Sequence, residues 1–107
     1  MKQVMVRYKV KAAESERNED LVRQVYEELH QSAPAGLRYA TFALEDGLSF
    51  VHVASFDDDR NPLTDVAAFH AFQENMGDRL DEQPRVENLR EIGSYGVFAR
   101  EREAVTN

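Results

Sequence analysis

The chain has 107 residues, of which 42% are apolar and 31% charged, with a formal net charge of −7. That balance suits one soluble globular domain over 1–107, with an ordered core from about 4 to 98 and a polar tail at 100–107. The acidic excess argues against nucleic acid or an anionic membrane as partner, since both need a basic patch. With no cysteine there is no disulfide, thiolate nucleophile or thiolate metal site. No apolar run is long enough to span a bilayer, and Met1-Lys2-Gln3-Val4 leads straight into a strand pattern without a signal-peptide core, so the expected location is cytoplasmic.

In chain order, Val4, Val6, Tyr8 and Val10 alternate with Met5, Arg7 and Lys9, the period of a strand. The acidic stretch that follows should start a helix, capped by Ser15 or Asn18. Leu21, Val22, Val25, Tyr26 and Leu29 then form an apolar helical stripe, which ends at Ser32-Ala33-Pro34-Ala35-Gly36. Arg38 to Glu45 and Leu48 to Phe56 read as the arms of a β-hairpin around Asp46-Gly47, because a tight turn needs the positive φ that glycine supplies. Asp57 to Asn61 is a loop, with Asn61 and Pro62 placed as N-cap and first helical residue, and Thr64 or Asp65 as the alternative start of the main helix. Val66, Phe69, Phe72, Met76 and Leu80 make a second helical stripe weakened at Gly77. Asp81-Glu82-Gln83-Pro84 is expected to break the chain, and the last strand to run from Val86 to about Phe98, bent near Gly93 and Gly96.

The order is therefore β-α-β-β-α-β, the ferredoxin-like arrangement: an α+β fold with four antiparallel strands and two helices on one face. On the second hairpin arm Phe50, His52, Ala54 and Phe56 share one face, and Ser49, Val51, Val53 and Ser55 the other. Neither face looks solvated. The helices cover one, so a second copy of the chain is expected on the other, giving a homodimer through the sheet face. Arg7 would then sit near that interface, paired with Glu45 or Glu91.

In element order and lengths, and in the stretches Val6 to Lys11, Phe50 to Ser55, Ala67-Ala68-Phe69-His70 and Ile92 to Gly96, the chain resembles the dimeric α+β-barrel superfamily, and within it the antibiotic-biosynthesis-monooxygenase-like domains. The resemblance covers nearly all of the chain, from Val4 to about Phe98. It implies a cavity between sheet and helices for an aromatic or polycyclic ligand, and, in some members, oxygenation of quinol-like substrates without metal or flavin. Other members degrade haem around an Asn, a Trp and a His. This chain has no Trp, and Val6 falls near the Asn position, so no cofactor is expected.

The candidate catalytic residue is His70, which flanks the second stripe and which the resemblance makes comparable to the helix histidine of the superfamily; a neutral imidazole there could take a proton from a phenol or hydroquinone. The competing reading is a surface histidine. His52 is placed either in the pocket or at the dimer interface, and His30 near a helix C-terminus, where a cation suits the dipole. Tyr8, Tyr26, His52, Phe69 and Phe72 are the candidate ligand-binding residues, with core packing as the alternative for the tyrosines. Asn18 could face the cavity, with capping as its competing role. The histidines lack metal-ligand spacing and Asp57-Asp58-Asp59 lacks the pattern of a calcium loop, so no metal site is expected. Three readings stay open: a cofactor-independent monooxygenase acting on a small aromatic or quinol-type ligand, a non-catalytic binder of such a ligand, and a structural homodimer with a closed core.

Overall fold

A computed structural model describes residues 1–57 and 60–96. The strands are β1 (Lys2–Val10), β2 (Leu37–Ala43), β3 (Ser49–Phe56) and β4 (Leu80–Asn88), and the helices are α1 (Ser15–Ser32), α2 (Ala67–Gln73) and the single turn α3 (Met76–Arg79). Short 3-10 turns at Ala12–Glu14 and Pro62–Asp65 lead into α1 and α2. The sheet is antiparallel in the order β2-β3-β1-β4, as expected of a ferredoxin-like fold.

Register assigns the two faces. Tyr8 pairs with Phe50, Val6 with His52 and Val4 with Ala54, all pointing under the helices, while Arg7 pairs with Val51 and Met5 with Val53 on the outer face. The inner face and the helical stripes build the core: Tyr8, Val10, Val25, Phe50, Leu63, Val66, Phe72 and Leu80 are buried together, with Leu21, Val22 and Leu29 packed against them. Outer-face Met5, Val51 and Val53 are only half-buried.

Local rules explain the hairpin. Gly47 sits at φ 72° and donates to the Leu44 carbonyl at 3.0 Å. Asp46 accepts from the Leu48 and Ser49 amides and from the Ser49 hydroxyl. The Ser49 hydroxyl, and then those two amides, hold the Asp46 carboxyl down at about 2, so it stays ionised and grips the turn. Asn61 caps the segment at Pro62 as expected, its Oδ1 accepting from the Leu63 amide at 3.0 Å. Helix α1 ends at Ala33, which takes a left-handed φ of 46° and donates to the Leu29 carbonyl.

The C-terminal third departs from the sequence reading. The second helical stripe is not one helix: the chain turns at Asn75 (φ 57°), so the break falls two residues before Gly77. Leu80 is the first residue of β4, and Asp81 to Pro84 lie inside that strand. Pro84 is tolerated because β4 is an edge strand carrying a bulge: Arg7 faces Arg85 and Lys9 faces Glu82, leaving Gln83 and Pro84 opposite Tyr8. A polar sequence with a proline reads as a loop, yet an edge strand needs only one bonded side. The last strand also ends earlier than the expected Val86 to Phe98: β4 stops at Asn88, and Gly93 and Gly96 belong to no strand, so they do not bend one. Phe98, the polar tail at 100–107 and two of the loop aspartates, Asp58 and Asp59, lie outside the described residues. Ser15 and Asn18 are not side-chain caps: Glu14 occupies the N-cap, the Ser15 hydroxyl donates to the Gly47 carbonyl, and Asn18 is inside α1. Within a single chain Arg7 is exposed and forms no ion pair with Glu45 or Glu91; Glu91 instead accepts from the Gln3 side-chain amide.

Candidate functional site

Between the sheet and the helices runs a line of polar side chains centred on His52. Strand β3 directs His52 inward because it alternates with Val51 and Val53, and the neighbouring strands bring Tyr8 (β1), Tyr39 and Thr41 (β2) to the same face. The Tyr8 hydroxyl lies 2.8 Å from His52 Nε2, and the Tyr39 hydroxyl 2.6 Å from Nδ1, with Thr41 Oγ1 at 3.1 Å from the same nitrogen. Tyr26 on α1 completes that end, its hydroxyl 2.8 Å from Thr41 Oγ1 and its ring stacked on Tyr39.

At the other end, Asn18 on α1 donates to the Tyr8 hydroxyl at 2.9 Å and accepts from Arg79 Nε at 3.4 Å. Asn18 is 0% exposed and Arg79 3%. The guanidinium also donates to the Phe72 carbonyl at 2.6 Å and the Glu74 carbonyl at 3.2 Å, satisfying acceptors that α2 leaves open where it stops. No carboxylate lies within ion-pairing distance of Arg79 among the described residues. Carbonyl oxygens, the Asn18 amide and the Phe72 ring face, 5.3 Å from the guanidinium carbon, surround the charge instead. Burial lowers the Arg79 pKa.

The environment sets the protonation states. Burial depresses His52 to about 4, so the ring is neutral at pH 7. Burial pushes Tyr8 and Tyr26 up to about 12 despite their hydrogen bonds to Asn18 and Thr41, and raises Tyr39 as well. Around these groups the rings pack closely: Tyr8 on Phe50, His52 on Phe72, Phe69 on Phe72, with centroids 5.5 to 6.1 Å apart. No buried side-chain nitrogen or oxygen among the described residues lacks a partner.

Of the ligand-binding residues named from sequence, Tyr8, Tyr26, His52 and Phe72 meet here, with Phe69 half-buried beside Phe72. His52 faces the helices, not the outer face where the dimer contact was expected. His70 is elsewhere in character: it is exposed on α2, its Nε2 2.7 Å from the Thr64 carbonyl oxygen. The structure therefore does not bring His70 into the buried cluster. Sequence reasoning left out Tyr39, Thr41 and Arg79. Tyr39 and Thr41 stand on the same strand parity as the inward residues, a signal that was available; Arg79 carried none, since a charged residue in a polar stretch gives no reason to expect burial.

The class of protein defined by this arrangement is a ferredoxin-like α+β domain with a His–Tyr network under its helices. No protein-family model matches the chain, and no curated protein matches it in sequence. Solved structures do match. One is a protein from Nitrosomonas europaea named "putative antibiotic biosynthesis monooxygenase", with TM-score 0.71 and 14% identity over 87% of this chain and 100% of that one. A second, named an antibiotic biosynthesis monooxygenase, has TM-score 0.69 and 17% identity over 87% and 100% of the two chains. A third, a Nitrosomonas europaea protein of unknown function, has TM-score 0.66 and 20% identity over 88% and 91%. The fold is that of the antibiotic-biosynthesis-monooxygenase-like domains.

Proposed function

We propose that this protein is a cofactor-independent, monooxygenase-like homodimer that takes a small aromatic or quinol-type ligand between sheet and helices, with His52 reading the ligand's oxygen. The observation that carries it is the buried, neutral His52 between the Tyr8 and Tyr39 hydroxyls, with the Phe72 ring against the imidazole and the Phe50 ring against Tyr8. Aromatic walls bind a flat ring through area and quadrupole contacts, and one polar group fixes its orientation. The half-exposed end of the network, at Tyr26, Tyr39 and Thr41, is where a ligand would enter. In the oxygenase form, the electron-rich anion of the substrate reacts with oxygen and is itself the reductant, so no metal or flavin is required.

His70 does not join this site, because its ring is held at the surface by Thr64. The homodimer is supported by the half-buried outer face at Met5, Val51 and Val53 and by Ile92 and Tyr95, 89% and 95% exposed.

Oxygen uptake with a panel of quinols and naphthols, set against protein-free autoxidation, tests the reading. Uptake that is lost in His52→Ala and retained in His70→Ala is expected. Ligand-dependent quenching of tyrosine fluorescence without uptake would reduce the function to binding, and neither signal would sink both. A second reading, a structural homodimer, has its own support in the complete pairing of the buried polar atoms.

A further inference from the structure

The hydrogen bonds of the buried network have a direction, and that direction starts at Arg79. A guanidinium can only donate, so the Asn18 atom facing Arg79 Nε is the carbonyl oxygen. The Asn18 NH2 group therefore faces Tyr8 and donates to its hydroxyl oxygen. Tyr8 is buried, and its hydroxyl has two neighbours, Asn18 and His52. Its own hydrogen cannot go to an amide NH2, and leaving it unbonded would forfeit a buried hydrogen bond. It must go to His52 Nε2, which then carries the lone pair. In a neutral imidazole the proton is then on Nδ1, pointing at Tyr39 and Thr41.

We propose that Arg79 is a positioning residue which, through Asn18 and Tyr8, fixes His52 as the Nδ1–H tautomer, so that His52 offers a hydrogen-bond donor at the open end of the network. The chain of groups spans 61 residues of sequence between Asn18 and Arg79, and each link has only one polarity that satisfies every atom. The consequence for specificity rests on the ligand reading above. At the Tyr39–Thr41 end Nδ1–H already donates to the hydroxyl oxygens, so a ligand that reaches it takes the place of one of them and is received as an acceptor, a quinone carbonyl or a phenolate, while the basic nitrogen of His52 faces the closed end and is held by Tyr8. His52 then stabilises an oxyanion by donation instead of removing its proton.

Long-range proton–nitrogen correlation NMR on the full chain with labelled histidine reads the tautomer directly. For wild type at mildly alkaline pH, a pyrrole-type Nδ1 and a pyridine-type Nε2 are expected. In Asn18→Asp the carboxylate accepts from both Arg79 and Tyr8, so Tyr8 turns its hydrogen away from His52 and the tautomer should switch to Nε2–H. Arg79→Met should give a mixture, and Arg79→Lys, still a pure donor, should restore Nδ1–H. A purely structural role for Arg79 would move stability without moving these signals. A wild-type Nε2–H pattern overturns the proposal even if no variant folds, as does an Asn18→Asp protein with an unchanged tautomer. Adding a naphthoquinone, an acceptor-only probe, should shift the Nδ1–H signal. An Nδ1–H tautomer that ignores the quinone overturns the ligand half alone and leaves the positioning role standing.

Discussion

Glu28 and Ala68 join the first two helices: Glu28 Oε1 on α1 accepts from the Ala68 amide of α2 at 2.8 Å, while Oε2 accepts from Ala67 at 3.1 Å. Helix α2 has no side-chain cap of its own, because Val66 occupies its N-cap. The carboxylate from α1 fills that role and meets the positive end of the short helix. Glu28→Ala should therefore cost about 1 kcal/mol, the usual value of a lost cap. Glu28→Gln should cost less, since one carbonyl oxygen remains to accept. Urea denaturation of the three proteins measures this, and an unchanged midpoint for Glu28→Ala would show that the cap contributes nothing.

Acid should destabilise the fold through His52. Its folded-state pKa is depressed to about 4 from an ordinary 6.5, so the unfolded chain takes up a proton between those values and the folded one does not. The stabilisation is fully present above pH 6.5, falls as pH drops, and levels off below about 4. At about 1.4 kcal/mol per unit, the loss is on the order of 3 kcal/mol. Stability against pH should show this slope in wild type and a shallower one in His52→Gln.

The alkaline side is governed by the phenols. Tyr8 and Tyr26 ionise at about 12 in the fold against 10.0 in the open chain, so unfolding releases protons and stability falls as pH rises from 10.0 towards 12. Tyr8→Phe should flatten that fall. At neutral pH the same substitution leaves the Asn18 NH2 and His52 Nε2 without their partner, and should cost about 1–3 kcal/mol despite adding no cavity. A Tyr8→Phe protein as stable as wild type would mean that water replaces the hydroxyl.

Assembly is tested on β3. A charge at Val51, on the outer face opposite Arg7, leaves the inner core untouched. If that face joins two copies, Val51→Glu should convert a dimer to monomer or aggregate by light scattering; an intact dimer would place the interface elsewhere.

What the sequence determined on its own were the features governed by short-range rules. The period of Val4 to Val10, the stripe from Leu21 to Leu29 and the Asp46-Gly47 turn each fix an element through a few neighbouring residues, and their order leaves little choice of topology. Alternation likewise put Tyr8 in the right layer and the helical stripe put Phe72 there, while His52 stays open between pocket and interface until its tertiary partners are in place. Only tertiary structure decided the rest. Strand β4 begins at Leu80 and accommodates Pro84 because β1 supplies a partner and β4 bulges against it, neither of which Asp81 to Pro84 announces. Asn18 is a buried amide instead of a cap, and Arg79 a buried cation, because the ends of α2 and β1 bring carbonyls and a hydroxyl to them from far along the chain. A polar residue's burial depends on partners that are distant in sequence, and no local pattern encodes them.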